Sequence, residues 1–228
     1  MTSKRLTIDK TILSQAQRDL WPELKNIPDN FVLYGGTAIA LQLDHRESID
    51  FDFFGSEHFN PDTLLNTVLP LKNAQVIQRA PNTLSVKVDR GGIVILSFFG
   101  LPEIKPIIAP KITDDGVMKV ASLIDLAGMK ASVVQKRAEW KDYVDLVALM
   151  DAGITLPMAL SAGQAIYKNQ FNPQITLKAL SYFDDVKGMT SDVKNRLQEA
   201  VRHVDIQKLP SLNEIQKIGF DFKLGRKP

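Results

Sequence analysis

The chain has 228 residues, 44% of them hydrophobic and 24% charged, with a formal net charge of +2 and no cysteine. That length and composition describe a globular chain able to bury a substantial core as one larger domain or two small ones. The absence of cysteine excludes disulfide frameworks, thiolate nucleophiles and cysteine-based zinc sites, while the small net charge neither requires nor excludes a nucleic-acid partner. In chain order, residues 8–25 carry Ile8, Ile12, Leu13, Ala16, Leu20 and Leu24 at helical spacing. Phe31 to Tyr34 reads as a short apolar strand, Thr37 to Leu43 as a short helix and Ile49 to Phe54 as an acidic strand. Pro61 to Leu69 is helical, with proline near its first turn. Three β-prone runs follow at Ala74 to Arg79, Leu84 to Asp89 and Ile93 to Phe99, with a hairpin turn at Arg90-Gly91-Gly92. The Pro- and Gly-dotted stretch from Gly100 to Gly116 reads as a connector, and helical patterns then occupy 122–135, 138–151, 157–168, 174–182 and 191–205. The layout predicts an α+β fold, with an α/β core over residues 1–116 and a helical region over 117–228.

The stretch from Leu33 to Phe54 carries the chemistry. Gly35-Gly36-Thr37 closes a strand and opens a helix, and Asp50 and Asp52 stand one residue apart in a run of β-formers. Strand side chains alternate, so both carboxylates share one face while Ile49, Phe51 and Phe53 take the other. Two adjacent carboxylates repel unless a cation joins them, and Mg²⁺ (or Mn²⁺) takes carboxylate and phosphate oxygens together. The bland alternative is an edge strand with two solvated acids. Gly35 and Gly36 offer bare backbone N–H groups and a positive helix end to a phosphate, with the Thr37 hydroxyl as a further donor or as a simple helix cap. His45 and Arg46, just before the acidic strand, reach triphosphate or solvate a loop.

A second constellation lies in the helical half. At about 100° per residue, Lys130, Arg137 and Lys141 fall within a stripe roughly 40° wide if one helix continues through them. Asp145 would then buttress Lys141 at i,i+4. The functional alternative is a basic strip for triphosphate; the other is a solvated charged face.

These two blocks together resemble the AbiEii/AbiGii toxin-type nucleotidyltransferases. The first family motif is similar to Gly35-Gly36-Thr37-Ala38 with His45-Arg46-Glu47-Ser48-Ile49-Asp50-Phe51-Asp52-Phe53-Phe54. The second is similar to Lys130, Arg137, Lys141-Asp142 and Asp145-Leu146. The resemblance implies a metal-dependent enzyme that moves a nucleoside monophosphate from a nucleoside triphosphate onto an acceptor hydroxyl. In that reading Asp50 and Asp52 hold the metal. Gly35, Gly36, Thr37, Arg46, Lys130, Arg137 and Lys141 meet the nucleotide, and Asp142 completes the site from the helical region. RNA, such as a tRNA 3′ end, is the implied acceptor, and a separately encoded antitoxin the implied partner.

One departure stands out. The superfamily usually places a third carboxylate on a later strand, but here that strand reads Ile93-Val94-Ile95-Leu96-Ser97-Phe98-Phe99. Asp89 precedes the hairpin turn, and Glu103 lies beyond the strand. A missing acid weakens activation of the attacking hydroxyl. It leaves open a catalytically silent nucleotide-binding module, or a transferase acting on a small molecule. His58 and His203 read as surface residues, and Trp21, Trp140, Phe171, Tyr182 and Phe183 as core or interhelical anchors. The polar N-terminus and the shortness of the apolar run Ile93 to Leu101 lead us to expect a cytoplasmic protein with no membrane partner.

Overall fold

The computed structural model describes residues 5–221. They form two compact units, residues 5–105 with 109–121 and residues 106–108 with 122–221. The fold is α+β, and the first unit runs past residue 116 because a short hairpin extends its sheet.

The first unit opens with helix α1, Gln15–Leu20. A capping box starts it: Ser14 Oγ accepts from the Gln17 amide at 3.3 Å while Gln17 Oε1 accepts from the Ser14 amide at 3.0 Å. The helical pattern over 8–25 becomes only this short helix, because Pro22 cannot continue the hydrogen-bond ladder and the chain tightens into a 3-10 turn over Trp21–Asn26. Strand β1 (Phe31–Tyr34) runs directly into helix α2 (Gly35–Leu43), and strand β2 (Asp50–Gly55) follows. Helix α3 (Pro61–Thr67) has Asn60 as its cap, whose side-chain oxygen accepts the amides of Asp62 at 2.8 Å and Thr63 at 3.1 Å.

The remaining strands are β3 (Gln75–Ala80), β4 (Thr83–Asp89), β5 (Ile93–Gly100), β6 (Lys111–Ile112) and β7 (Lys119–Val120). They form one seven-stranded mixed sheet in the order β3-β4-β5-β2-β1-β7-β6. The pairs β2–β5 and β1–β7 are parallel, and the other neighbours antiparallel. The β6–β7 hairpin falls in and just after the stretch read as a connector; two-residue strands are too short to show a period of two. It is fixed from outside by Asp115. That carboxylate accepts from Thr113 Oγ1 at 2.7 Å, Trp21 Nε1 at 2.8 Å and Lys10 Nζ at 2.9 Å. Partial burial pushes it up, but these donors and the Val117 amide outweigh that and hold it down at about 2.

Alternation in β2 sorts its side chains by face. Phe51 and Phe53 are buried with Leu33, Leu84, Val86, Leu96 and Phe98, whereas Asp50 and Asp52 are half-buried on the opposite face. The Phe53 and Phe98 rings stack at 5.2 Å, and Trp21 meets Phe51 at 6.2 Å. Burying each such aromatic contributes about 1.5–3 kcal/mol, so the apolar residues fix the register of β2 and thereby the face its carboxylates occupy.

The second unit is helical: α4 (Leu123–Val133), α5 (Trp140–Asp151), α6 (Leu156–Tyr167), α7 (Pro173–Ala179), α8 (Ser191–Arg202) and α9 (Leu212–Asp221), the last not expected from the sequence. Residues 106–108 join it because Asp125, buried at the start of α4, accepts the amides of Ile107 at 2.6 Å and Ile108 at 3.2 Å. Burial raises this carboxyl above its ordinary value, against those hydrogen bonds and one from Ser122. Phe171 and Phe183 are buried as expected, but Trp140 and Tyr182 are 39% and 57% exposed and are not core anchors. Among the described residues, no single helix is long and apolar enough to cross a membrane.

Candidate active site

Sheet register sets the neighbourhood of the two strand carboxylates. Asp52 lies opposite Tyr34 of β1 on one side and Ser97 of β5 on the other, and Asp50 lies beside Ile95. Their α-carbons are about 7 Å apart along the strand, a separation from which two carboxylates on one face can converge on a small cation. The donor set, two hard oxygen groups on one strand face, suits Mg²⁺, which commonly takes one or two carboxylates plus its substrate's phosphates. Among the described residues, no group of three acidic or histidine side chains could hold a metal.

The glycine turn meets these carboxylates directly. Gly35 has φ of +72°, a left-handed conformation that costs a side chain dearly, and a Cβ there would collide with Asp52 Oδ2. A Cβ on Gly36 would collide with the Arg46 guanidinium and come within 3.0 Å of Ser48 Oγ. Gly35 is therefore required by its backbone and by Asp52, whereas the tip of Arg46 can give way at Gly36; the Asp52 carboxylate and the Arg46 guanidinium both pack on the first turn of α2. Thr37, fully buried, donates its hydroxyl to the backbone carbonyl of Asp50, with the Ser48 carbonyl at 3.4 Å. Thr37 is not the helix cap, a position held by Tyr34, and its hydroxyl fastens α2 to the start of β2. Gln17 Nε2 donates to the Ser48 carbonyl at 2.8 Å and holds the same loop from α1. This contribution from α1 was invisible in the sequence, because nothing local marks a glutamine 31 residues upstream as its partner.

Strand β5 is indeed the parallel neighbour of β2, and the residues in register with Asp50 and Asp52 are Ile95 and Ser97. No acid stands at either place. Instead Ser85 Oγ of β4 donates to Ser97 Oγ at 3.0 Å. Asp89 pairs with Ile93 at the far end of β4. His58 and His203 are exposed, with Asn82 at 2.8 Å from one and the Glu199 carbonyl at 2.8 Å from the other.

In the second unit the expected continuous helix does not form. Helix α4 ends at Val133, residues 134–139 turn, and α5 begins at Trp140. The adjacent β-branched pair Val133-Val134 disfavours further helix, and Gln135 is drawn away to the Asn172 carbonyl at 3.0 Å and Thr176 Oγ1 at 2.7 Å. The stripe of three cations is thus absent, and the residues assemble differently. Lys130 Nζ lies 2.6 Å from Asp142 Oδ1 and 2.6 Å from Asp145 Oδ2. Arg137 adds its Nε to Asp142 Oδ2 at 2.8 Å and its Nη2 to Oδ1 at 3.1 Å. Both aspartates are fully buried, and Lys130 is nearly so. Asp145 therefore buttresses Lys130 rather than Lys141, whose side chain is exposed on α5.

Residues 23–215 match the family model for the nucleotidyl transferase AbiEii toxin of type IV toxin–antitoxin systems. An uncharacterised protein of Aquifex aeolicus (strain VF5) is 30% identical over 165 residues, covering 71% of this chain and 77% of that protein. Among solved structures, JHP933 from Helicobacter pylori superposes with a TM-score of 0.55 at 16% identity, covering 92% of this chain and 98% of the other. MenT4, a nucleotidyltransferase toxin of Mycobacterium tuberculosis H37Rv, superposes with a TM-score of 0.53 at 12% identity, covering 89% and 90%. At such identities these structures show a shared fold.

Proposed function

Because this chain belongs to the nucleotidyl transferase AbiEii toxin family and is a nucleotidyltransferase, we propose that it moves a nucleoside monophosphate from a nucleoside triphosphate onto a hydroxyl of RNA, with a tRNA 3′ end as the acceptor. The observation that carries this reading is the packing of the Asp52 carboxylate and the Arg46 guanidinium on the bare first turn of α2, with Asp50 on the same strand face. Asp50 and Asp52 would hold Mg²⁺ or Mn²⁺, which supplies charge neutralisation and Lewis-acid polarisation at the α-phosphate. Arg46 and the α2 N-terminus attract the β- and γ-phosphates. The acceptor oxygen forms a bond to the α-phosphorus while the bond to the bridging oxygen breaks. Pyrophosphate leaves with that electron pair, and the hydroxyl proton passes to water. Thr37 keeps β2 and α2 at fixed separation. Lys130, Asp142 and Asp145 act as positioning groups for Arg137, the half-exposed member of their cluster and the one that the family resemblance assigns to the nucleotide. A separately encoded antitoxin is the proposed protein partner, and the cytoplasm the proposed compartment.

The test is label transfer and pyrophosphate release with each labelled NTP, Mg²⁺ and total tRNA, wild type beside Asp50→Asn/Asp52→Asn. The reading expects label on RNA from the wild type and none from the variant; equal turnover in the two would refute the site. The absence of an acid at positions 95 and 97 favours a second reading, a nucleotide-binding module with little turnover. NTP binding without pyrophosphate release would support it.

A further inference from the structure

We infer that the strip running from Ser97 across Ser85 to Lys87 is the acceptor side of the site, and that Lys87 binds a phosphate neighbouring the attacked hydroxyl. The inference rests on the reading above and adds to it a place and a residue. Phosphoryl transfer runs in line, with attacking and leaving oxygens on opposite sides of phosphorus. Within the first unit, the groups suited to the departing pyrophosphate lie toward β1: Gly35 and Gly36 at the end of that strand, and Arg46 packed over them. The attacking hydroxyl then has to arrive from the other side of β2, over β5 and β4. Register states what it meets there. Next to Asp52 comes Ser97 and then Ser85; next to Asp50 comes Ile95 and then Lys87.

This strip holds two hydroxyls and one ammonium, and no acid. The Ser85 and Ser97 hydroxyls, both buried, lie 3.0 Å apart and share one hydrogen bond, so one proton of the pair is left to donate onward. Lys87 is half-buried, and among the described residues no carboxylate pairs with it. Two strand spacings, about 10 Å, separate its α-carbon from that of Asp50. A lysine side chain spans much of that gap and would sit one nucleotide step from the attacked hydroxyl. An acid at position 97 would favour a cationic acceptor, whereas hydroxyls and a lysine favour an anionic one.

The experiment uses the full chain as wild type, Lys87→Ala, Lys87→Glu and Lys87→Arg. Binding of labelled total tRNA is measured across a salt series, and transfer kinetics are measured with Mg²⁺ and NTP. Lys87→Ala should weaken tRNA binding about tenfold, as expected for one charge-assisted contact. It should also lower the slope of log affinity against log salt by about one. Lys87→Glu should be worse and Lys87→Arg close to wild type, with KM for tRNA moving more than KM for the NTP. Wild-type tRNA affinity and salt slope in both Lys87→Ala and Lys87→Glu would overturn the inference. So would a defect confined to the NTP, or no tRNA binding by the wild type. A wild type that binds tRNA yet transfers nothing would sink the proposed reaction, while the binding series would still decide the role of Lys87.

Discussion

Two pairs of aspartates two or three residues apart, one in each unit, have opposite environments. Asp50 and Asp52 stand half-buried on a sheet face, beside a glycine turn whose backbone is bare. Asp142 and Asp145 are wholly buried on α5, within hydrogen-bond distance of Lys130, with Arg137 as a second cation on Asp142. The second pair is compensated by the chain itself, two negative charges against two positive ones, as the proposed positioning of Arg137 requires. Buried charges survive only when compensated this way. The first pair is only half-buried, as the proposed metal site requires.

This contrast can be broken most forcefully at Lys130. Replacing it with Met takes the lysine from two buried carboxylates, leaving Arg137 on Asp142, and should cost about 3–5 kcal/mol in urea unfolding; a loss below about 1 kcal/mol would show that the cluster is not structural. Asp142→Asn removes the charge shared by Lys130 and Arg137 and sets an NH2 donor against one of them, but leaves Asp145 on Lys130, so about 2–3 kcal/mol is expected in the same assay. Gly35→Ala forces a side chain into a left-handed backbone and into Asp52. We expect about 1–3 kcal/mol of destabilisation together with loss of transfer. Wild-type activity in that variant would mean Asp52 does not need its present place. Asp115→Asn should cost about 1 kcal/mol after allowance for solvent screening. The pH dependence has a definite sign. Its folded pKa is depressed from 3.8 to about 2, so the contribution is complete above the unfolded value and fades as pH falls through about 2. Unfolding measured at pH 6 and pH 2 should therefore separate wild type from variant only at the higher pH. Smallest of all, Asp50→Asn/Asp52→Asn should change stability by less than about 1 kcal/mol, since both side chains are only half-buried and asparagine keeps their size.

Much of the first unit was legible because it obeys short-range rules. Period-two alternation placed Asp50 and Asp52 on one face, and a Gly-Gly step after β-formers marked the strand-to-helix turn. The missing acid beside Asp52 was legible too, since β5 could be aligned by its own apolar run. What escaped were long-range partners and interruptions. The occupant of the Gly35 and Gly36 backbone is this chain's own Asp52 and Arg46, a fact about packing that spacing along the chain cannot state. The helical stripe failed at Val134 to Glu139, where a propensity break and the side-chain bonds of Gln135 outweigh periodicity. Once the helix breaks, Asp145 turns from Lys141 to Lys130. Lys87 went unnoticed because only register across two strands sets it in a row with Asp50.

The most direct test of the central claim, that Asp50 and Asp52 form the site for metal-bound nucleotide, is the thermal midpoint with and without Mg²⁺ plus a mixture of the four NTPs. Ligand that binds only the folded state raises the midpoint by mass action. The account predicts a rise for the wild type and none for Asp50→Asn/Asp52→Asn, with equal midpoints in the absence of ligand. An equal rise in both proteins would contradict it.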